Sequence, residues 1–169
     1  MVKRKSGFTL IEMVIVVAII ALLAGILVPI AFNQVDDAQH ARALGDVRAV
    51  ANAVVLFKKD TGVWPTNARL LYSDGNRARN EGSFEDEAQA EHLERSLRSN
   101  QPASVGWKGP YMASFDADPW ANRYIVEIFG IVAPGVPYAW AISAGPDGTF
   151  QTSRNDTTLQ GDDIGILLR

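Results

Sequence analysis

The hydrophobic pattern of the chain begins with an almost uninterrupted apolar run from Met13 to Phe32. In a helix these twenty residues rise about 30 Å, which matches the hydrocarbon core of a bilayer. We therefore predict a transmembrane helix over residues 8–32. Glu12 lies at the edge of the run, where a carboxylate is costly to bury and usually has a function. A plain single-pass anchor explains the apolar run but leaves Glu12 unexplained.

A helical stripe of apolar residues continues the pattern beyond Phe32. Its members, spaced by three or four residues, are Leu44, Val47, Ala51 and Val54. This spacing is typical of an amphipathic helix with one buried face. Gly62 and Pro65 are residues that commonly follow the last turn of a helix. The sequence therefore predicts one continuous helix from Thr9 to Thr61, with an amphipathic half at 33–62.

Three short segments in the C-terminal half have the pattern of β-strands. They are Tyr124–Phe129, Tyr138–Ser143 and Ile164–Leu168. Bulky and small side chains alternate in the second segment, as expected for a strand with one buried face. Together with the long helix, these segments predict an α+β fold in which the helix packs on a small antiparallel sheet. The globular domain is expected to comprise 63–169 and to contain a C-terminal acidic loop.

The polar segment 67–106 is poor in large apolar residues and is interpreted as an insertion. Ser83 and Asp86 have the spacing of a capping box, and acidic residues twice precede an arginine by four positions. These signals predict a surface helix at about Phe84–Arg98. The role of the insertion stays open between a solvated loop and a contact surface for other subunits.

A basic leader precedes the apolar run. Lys3, Arg4 and Lys5 favour a cytoplasmic N-terminus by the positive-inside rule. No small-residue cleavage site of a secretory signal peptide follows Phe32, so the helix is expected to stay in the chain. Removal of a leader at 1–7 would take the net charge from −3 to −6. Such an acidic chain is not expected to bind nucleic acid, which favours basic surfaces.

The start of the chain resembles the prepilin signature shared by type IV pilins and the pseudopilins of type II secretion. The resemblance rests on Gly7-Phe8-Thr9-Leu10-Ile11-Glu12 followed by the apolar run. It implies that a prepilin peptidase cleaves between Gly7 and Phe8 and that Phe8 becomes N-methylated. It also implies that Glu12 neutralises the Phe8 amine of a neighbouring subunit during assembly. A carboxylate in low dielectric is tolerated when an opposite charge meets it.

A second resemblance narrows the family to the major pseudopilins of type II secretion. That family has Gly-Pro-Tyr and then Asp-Pro-Trp-Gly-Asn-Pro-Tyr. This chain has Gly109-Pro110-Tyr111 and Asp118-Pro119-Trp120-Ala121-Asn122-Arg123-Tyr124. Ala121 and Arg123 depart from the family pattern, which puts the geometry of the turn in question. We interpret the motif as a folding element without a catalytic role, because Asp-Pro begins turns and the aromatic residues suit a core.

The acidic C-terminal loop is the candidate metal site. Its carboxylates are Asp147, Asp156, Asp162 and Asp163. Calcium prefers six to eight oxygen ligands, and in the major pseudopilins the corresponding loop holds one calcium ion. The ligands that the resemblance implies are the side chains of Asp147, Asp162 and Asp163 and the backbone oxygens of Ala144 and Thr149. Asp156 is an alternative to one of the later aspartates, and an Asp-Gly turn with a solvated acidic tip is the alternative to a metal site.

No catalytic signature accompanies these features. His40 and His92 stand apart from any nucleophile motif, and the sequence contains no cysteine, no Gly-x-Ser-x-Gly and no phosphate-binding loop. Without cysteine the chain cannot form the disulfide that closes a C-terminal loop in many type IV pilins. We therefore expect a subunit that is not an enzyme.

The resemblance as a whole implies a structural subunit of a type II secretion pseudopilus. Subunits would leave the bacterial inner membrane, polymerise with their own copies and with other pseudopilins, and drive the export of folded proteins. The expected topology is a single span with a cytoplasmic N-terminus and a periplasmic domain, processed by a prepilin peptidase and assembled on an inner-membrane platform. The alternatives are a type IV pilus subunit for adhesion, motility or DNA uptake, and a membrane-anchored binding module that never polymerises.

Overall fold

A computed structural model describes residues 7–65, 70–79, 90–101, 103–128 and 139–168. Its elements in chain order are α1 (Leu10–Thr61), β1 (Leu70–Tyr72), β2 (Ala90–His92), α2 (Leu93–Leu97), β3 (Ile125–Glu127), β4 (Ala139–Ser143) and β5 (Ile164–Leu168). The predicted α+β class, with a long N-terminal helix packed on a small sheet, is confirmed. The chain divides after Ala38 into two units.

The N-terminal unit contains the first part of α1, and its apolar side chains lie on the outside. Leu10 is 82% exposed and Phe32 is 67% exposed. A window of 18 residues in α1 has a mean hydropathy of 3.1 and is 0% buried, so the helix is long and apolar enough to cross a membrane. Apolar surface on this scale marks a site of contact with lipid or with other proteins.

The second unit begins at Gln39 and buries the predicted apolar stripe of α1 except for Leu44, which is half-buried. Val47, Val54 and Phe57 are each at most 1% exposed. They belong to one core cluster that also contains Leu71 of β1. The amphipathic half of the helix is thus the part that provides a core for the sheet.

The C-terminal end of α1 lies where the sequence predicts it, at Thr61. Two side chains from the Gly-Pro-Tyr region contact the last turn: the Tyr111 hydroxyl donates to Asp60 Oδ2 (3.1 Å) and Lys108 Nζ donates to Asp60 Oδ1 (3.4 Å). The Tyr111 N–H donates to the carbonyl of Leu97 (2.9 Å). The Gly-Pro-Tyr motif therefore joins the end of α1 to α2.

The five strands form one sheet in the order β2-β1-β3-β4-β5. β1 pairs with β2 in parallel, and the other neighbouring strands are antiparallel. The predicted antiparallel pairing is confirmed for the three predicted strands, β3, β4 and β5, and the sheet as a whole is mixed. The difference arises from residues 90–92, which add a parallel strand at one edge.

The three predicted strands correspond to β3, β4 and β5. The last, Ile164–Leu168, has the predicted bounds, and β3 begins one residue later than predicted, at Ile125. Phe129 and Tyr138, at the ends of the other predicted strands, lie outside the described residues.

In its described part the predicted surface helix at Phe84–Arg98 is confirmed as a helix only for Leu93–Leu97, which form the short α2, and it is wrong for Ala90–His92, which form β2. His92 divides the two elements. Its extended backbone ends β2, and its Nδ1 accepts a hydrogen bond from the Glu94 N–H (3.1 Å) in the first turn of α2. At residues 90–92, pairing with β1 outweighs the local sequence signals that favour a helix. The predicted capping box at Ser83 and Asp86 lies outside the described residues.

Truncation of Leu93 tests the buried placement of α2. Leu93 is 0% exposed and lies in the main core cluster. We expect Leu93→Ala to lower the free energy of unfolding of a fragment 39–169 by about 2–5 kcal/mol, because it removes buried methyl groups and leaves a cavity. Urea denaturation followed by tryptophan fluorescence measures this change. Arg98→Ala, at a side chain 53% exposed, is the control and should change it by less than about 0.5 kcal/mol. If Leu93→Ala changed the free energy of unfolding as little as Arg98→Ala does, the buried placement of Leu93 would be contradicted.

Candidate functional site

The start of α1 is closed by reciprocal hydrogen bonds between Thr9 and Glu12. Glu12 Oε2 accepts from the Thr9 N–H (2.8 Å) and from the Thr9 hydroxyl (2.7 Å). The Glu12 N–H donates to Thr9 Oγ1 (3.3 Å). This is a capping box, which satisfies amide groups that the first helical turn leaves unpaired. The Thr-x-x-Glu spacing is the sequence signal of this capping box. The family resemblance assigns Glu12 a role in assembly only and does not reveal its role in capping the helix.

The predicted cleavage position precedes the helix in a non-helical, exposed stretch. Gly7 and Phe8 are both outside α1, and Phe8 is 81% exposed. An extended and accessible peptide bond is what a peptidase requires. Residues 1–6 of the leader lie outside the described residues, and cleavage and N-methylation stay predictions.

The turn from Asp118 to Asn122 is organised around one buried carboxylate. Asp118 is 4% exposed, and its Oδ1 accepts from the N–H groups of Trp120 (3.0 Å) and Asn122 (2.8 Å). Its Oδ2 accepts from the Ser143 hydroxyl (2.6 Å). Burial raises the pKa of Asp118, and these hydrogen bonds oppose that shift. The turn is thereby attached to the last residue of β4, which leads into the acidic loop.

Both departures from the family motif are accommodated in this turn. Ala121 has φ 68, a left-handed conformation that glycine adopts more easily and that explains the glycine of the family pattern. The Ala121 N–H still donates to the Asp118 carbonyl (3.0 Å), so the turn is closed. The Arg123 guanidinium lies 4.6 Å from the centroid of the Tyr72 ring, within the range of a cation–π contact.

The acidic loop between β4 and β5 brings Asp147 and Asp162 together. The Asp147 N–H donates to Asp162 Oδ2 (3.2 Å). The Asp147 carboxylate accepts from the Thr149 N–H (2.6 Å) and from Gln151 Nε2 (2.7 Å). Gly145 has φ 64, and a Cβ at this position would overlap the carbonyl oxygen of Asp162. The two ends of the loop therefore touch at a position that requires glycine.

Asp163 is buried next to this pair, with a relative exposure of 6%. Its Oδ2 accepts from the N–H groups of Gln151 (3.0 Å) and Thr152 (2.6 Å). Its Oδ1 has no donor among the described residues. Burial raises the pKa of Asp163, and a buried carboxylate oxygen without a partner costs free energy. A cation bound to Asp163 would stabilise its ionised carboxylate and would give Oδ1 a partner.

Asp156 lies in a separate turn of the loop. Its Oδ2 accepts from the Ser153 N–H (2.8 Å), and its carbonyl accepts from Trp140 Nε1 (3.1 Å). The side chain thus closes its own turn, while the backbone attaches this turn to β4. These contacts give Asp156 a local structural role.

The described residues contain no group of three or more His, Cys, Asp or Glu side chains arranged to hold a metal ion. A metal at this loop would depend on backbone oxygens in addition to carboxylates. Ala144, predicted to supply such an oxygen, is a fully buried residue directly after β4. Thr149, the other predicted backbone ligand, donates its N–H to Asp147 and lies in the same turn.

Three residues that hold the loop are not among the predicted site residues. They are Asn122, Ser143 and Gln151. Asn122 Nδ2 donates to the carbonyl of Gly145 (3.2 Å). Its place in the Asp-Pro-Trp motif is a sequence signal, whereas Ser143 and Gln151 have no signal because their roles depend on contacts made in the folded chain.

Comparisons with known proteins cover both the N-terminal segment and the whole chain. The family described as the prokaryotic N-terminal methylation motif matches residues 2–28. A protein of Pseudomonas aeruginosa named type II secretion system core protein G is 30% identical over 159 residues, which cover 93% of this chain and 94% of the relative. A protein of the same name from Escherichia coli is 31% identical over 155 residues, 91% of this chain and 90% of the relative. One from Aeromonas hydrophila is 30% identical over 72% of each chain. No solved structure matches this chain.

Removal of the Asp118 carboxylate tests its role in the turn. In Asp118→Ala two backbone amides and the Ser143 hydroxyl lose their acceptor. We expect the free energy of unfolding to fall by about 3 kcal/mol, because buried donors are left without partners. Chemical denaturation of fragment 39–169 measures the change. Asp116→Ala, at an exposed aspartate two residues earlier, is the control and should have little effect. A fall of the same small size in both variants would show that the buried carboxylate does not organise the turn.

Proposed function

We infer that this chain, which belongs to the type II secretion system core protein G family, is a structural subunit of a pseudopilus. The observation that carries this conclusion is an identity of 30% and 31% to two family members over more than nine-tenths of the chain. The N-terminal methylation motif at residues 2–28 agrees with it. Because these relatives are named for secretion, a subunit of a type IV pilus is not favoured.

The chain is anchored in a membrane by the apolar part of α1. Its 18-residue window of mean hydropathy 3.1 is exposed throughout, as a lipid-facing helix requires. In the proposed topology the basic leader stays in the cytoplasm and the unit from Gln39 onward lies in the periplasm. Lys3, Arg4 and Lys5 support this orientation through the positive-inside rule.

Assembly is proposed to begin when a prepilin peptidase cleaves the bond between Gly7 and Phe8. The cut creates an amine on Phe8, which is then N-methylated and lies close in sequence to Glu12. Both capping bonds from Thr9 go to one carboxylate oxygen of Glu12, Oε2. The other oxygen can meet the Phe8 amine of a second subunit, and this charge pair would admit the carboxylate to an apolar filament core.

The subunit works with other pseudopilins of the secretion system, and its function is structural rather than enzymatic. Its proposed partners are copies of itself, an inner-membrane assembly platform and the peptidase. The filament grows from the inner membrane into the periplasm and moves folded proteins toward export. Hydrolysis of ATP belongs to a separate motor in this scheme.

The acidic loop is proposed to hold a structural calcium ion. The Asp147 N–H donates to the Asp162 carboxylate, and Asp163 contributes a buried oxygen without a donor among the described residues. Calcium accepts such carboxylates together with carbonyl oxygens, for which Ala144 and Thr149 are the candidates. The ion would stabilise the loop in a chain that has no cysteine.

Substitution of Glu12 separates its charge from its capping role. Glutamine also serves in a capping box, so Glu12→Gln keeps the helix start but removes the charge. We expect this variant to reduce filament formation and exoprotein secretion at least tenfold, because the loss of a buried ion-pair partner costs about 3–5 kcal/mol. Secretion assays and sheared-filament immunoblots in a complemented deletion strain measure the effect.

Thr9→Ser, which keeps the hydroxyl, is the matched control and should assemble normally. Normal assembly of Glu12→Gln alongside failure of Glu12→Ala would assign Glu12 to helix capping alone. If the deletion strain secretes normally but loses twitching or transformation, the pilus alternative replaces the pseudopilus.

Calcium should stabilise the globular unit. An ion present at a hundredfold excess over its Kd adds about 2.7 kcal/mol and should raise the unfolding midpoint of a fragment 39–169 by several degrees over that in chelator. We expect Asp162→Asn to abolish this rise. Asp156→Asn should retain it, because Asp156 closes its own turn. A midpoint that is the same in calcium and in chelator would refute the metal site but not the filament function.

A further inference from the structure

Contacts from outside the acidic loop hold its first residues. The Gly145 carbonyl accepts from Asn122 Nδ2 (3.2 Å), and the Gly145 N–H donates to Ser143 Oγ (3.1 Å). Ser143 Oγ donates in turn to Asp118 Oδ2 (2.6 Å). Both polar backbone groups of Gly145 are therefore connected to the Asp118–Asn122 turn.

Gly145 is also the point where the two ends of the loop meet. A Cβ on Gly145 would overlap the Asp162 carbonyl oxygen and would lie 3.1 Å from Asp162 Oδ2. The Asp147 N–H, two residues further on, donates to the same Oδ2 (3.2 Å). The position of Gly145 therefore determines whether Asp147 reaches Asp162.

Asn122 is well placed to set that position because its own backbone is fixed. Its N–H donates to Asp118 Oδ1 (2.8 Å), and its carbonyl accepts from the Asp118 N–H (2.8 Å). Its side chain also lies against the next turn, since a Cβ on Gly148 would be 3.2 Å from Asn122 Oδ1. One amide side chain thus binds Gly145 and lies close to Gly148.

A second segment holds the loop from another direction. Arg79 Nη2 donates to the Asp147 carbonyl (2.9 Å), and the Arg79 N–H donates to the Gly148 carbonyl (2.8 Å). These bonds occupy the carbonyl of Asp147 and fix the far side of the turn. Asn122 provides the complementary contact on the Gly145 side, next to Asp162.

We propose that Asn122 is a positioning residue for the calcium loop, which acts through Gly145 and does not touch the ion. The proposal rests on the calcium site proposed above. Groups that orient metal ligands without binding the metal typically change affinity by 10–100-fold when they are removed. The expected signature is a loss of calcium affinity in a protein whose calcium-free fold is retained.

The test measures calcium affinity and chelated stability on the full chain purified in detergent. We expect Asn122→Ala to weaken the Kd for calcium, measured by isothermal titration calorimetry, by about tenfold or more. Its unfolding midpoint in chelator should stay near that of the wild type. Asn76→Ala is the matched control, because Asn76 lies opposite Asn122 in an isolated bridge and is exposed. This control should bind calcium like the wild type.

Asn122→Ser retains a hydroxyl donor and should recover part of the affinity. Wild-type affinity in Asn122→Ala overturns the proposal, as does an equal loss in Asn76→Ala.

If Asn122→Ala does not fold, Asn122→Ser decides by the same measurements: weakened affinity supports the proposal and wild-type affinity overturns it. A wild-type chain that binds no calcium refutes the metal site itself and the positioning role with it. A calcium-binding wild type with an unaffected Asn122 variant refutes the positioning role alone.

Discussion

Helix α1 has two parts that require different surroundings. The first part exposes apolar side chains, and the second part packs in the core of the globular unit. Between Leu10 and Phe32 its large apolar side chains are exposed, so this part is stable only where lipid or apolar protein replaces water. From Val47 to Phe57 one face is buried in the core of the globular unit, and Val55 and Leu56 are exposed on the other side. A helix pairs its own peptide groups, which is why the same element can serve both as a membrane span and as the support of a sheet. One face of the sheet depends on this element for its core, whereas Ala144 and Phe150 of the acidic loop belong to a second core cluster that contains no residue of α1.

The sequence predicts the start of α1 to within one residue and its end at Thr61, because several independent signals along the helix agree. The apolar run, the stripe from Leu44 to Val54 and the glycine after Thr61 each constrain the same helix. The three-residue strand β2 offers no comparable signal. Its place depends on parallel pairing with β1, whose partner residues are about twenty positions away, and local acidic–basic spacing favours a helix instead. Pairing between distant segments overrides local preference at such short elements.

In the acidic loop the sequence predicts the chemistry but not the arrangement. Four aspartates are evident from composition, yet their spacing does not reveal that Asp156 closes a turn of its own or that Asp163 is buried. Those distinctions arise from tertiary contacts. The Asp118–Ser143 hydrogen bond joins residues 25 positions apart, and the Asn122–Gly145 hydrogen bond joins residues 23 positions apart. Family resemblance identifies the turn as a motif, and only the folded chain shows that the turn holds the loop.

The loop is also the covalent connection between β4 and β5, and β5 is an edge strand that pairs with β4. Loop-closure entropy rises slowly with length, by about 0.6 kcal/mol for each doubling. The length of this loop therefore adds little to the entropic cost of docking β5. Length does, however, increase the number of peptide bonds that a protease could cut. A single cut between 145 and 162 would leave β5 as a separate peptide, held by its pairing with β4 and by the core contacts of Ile166 and Leu168. The contacts that order the loop therefore also protect the last strand of the sheet from proteolytic release.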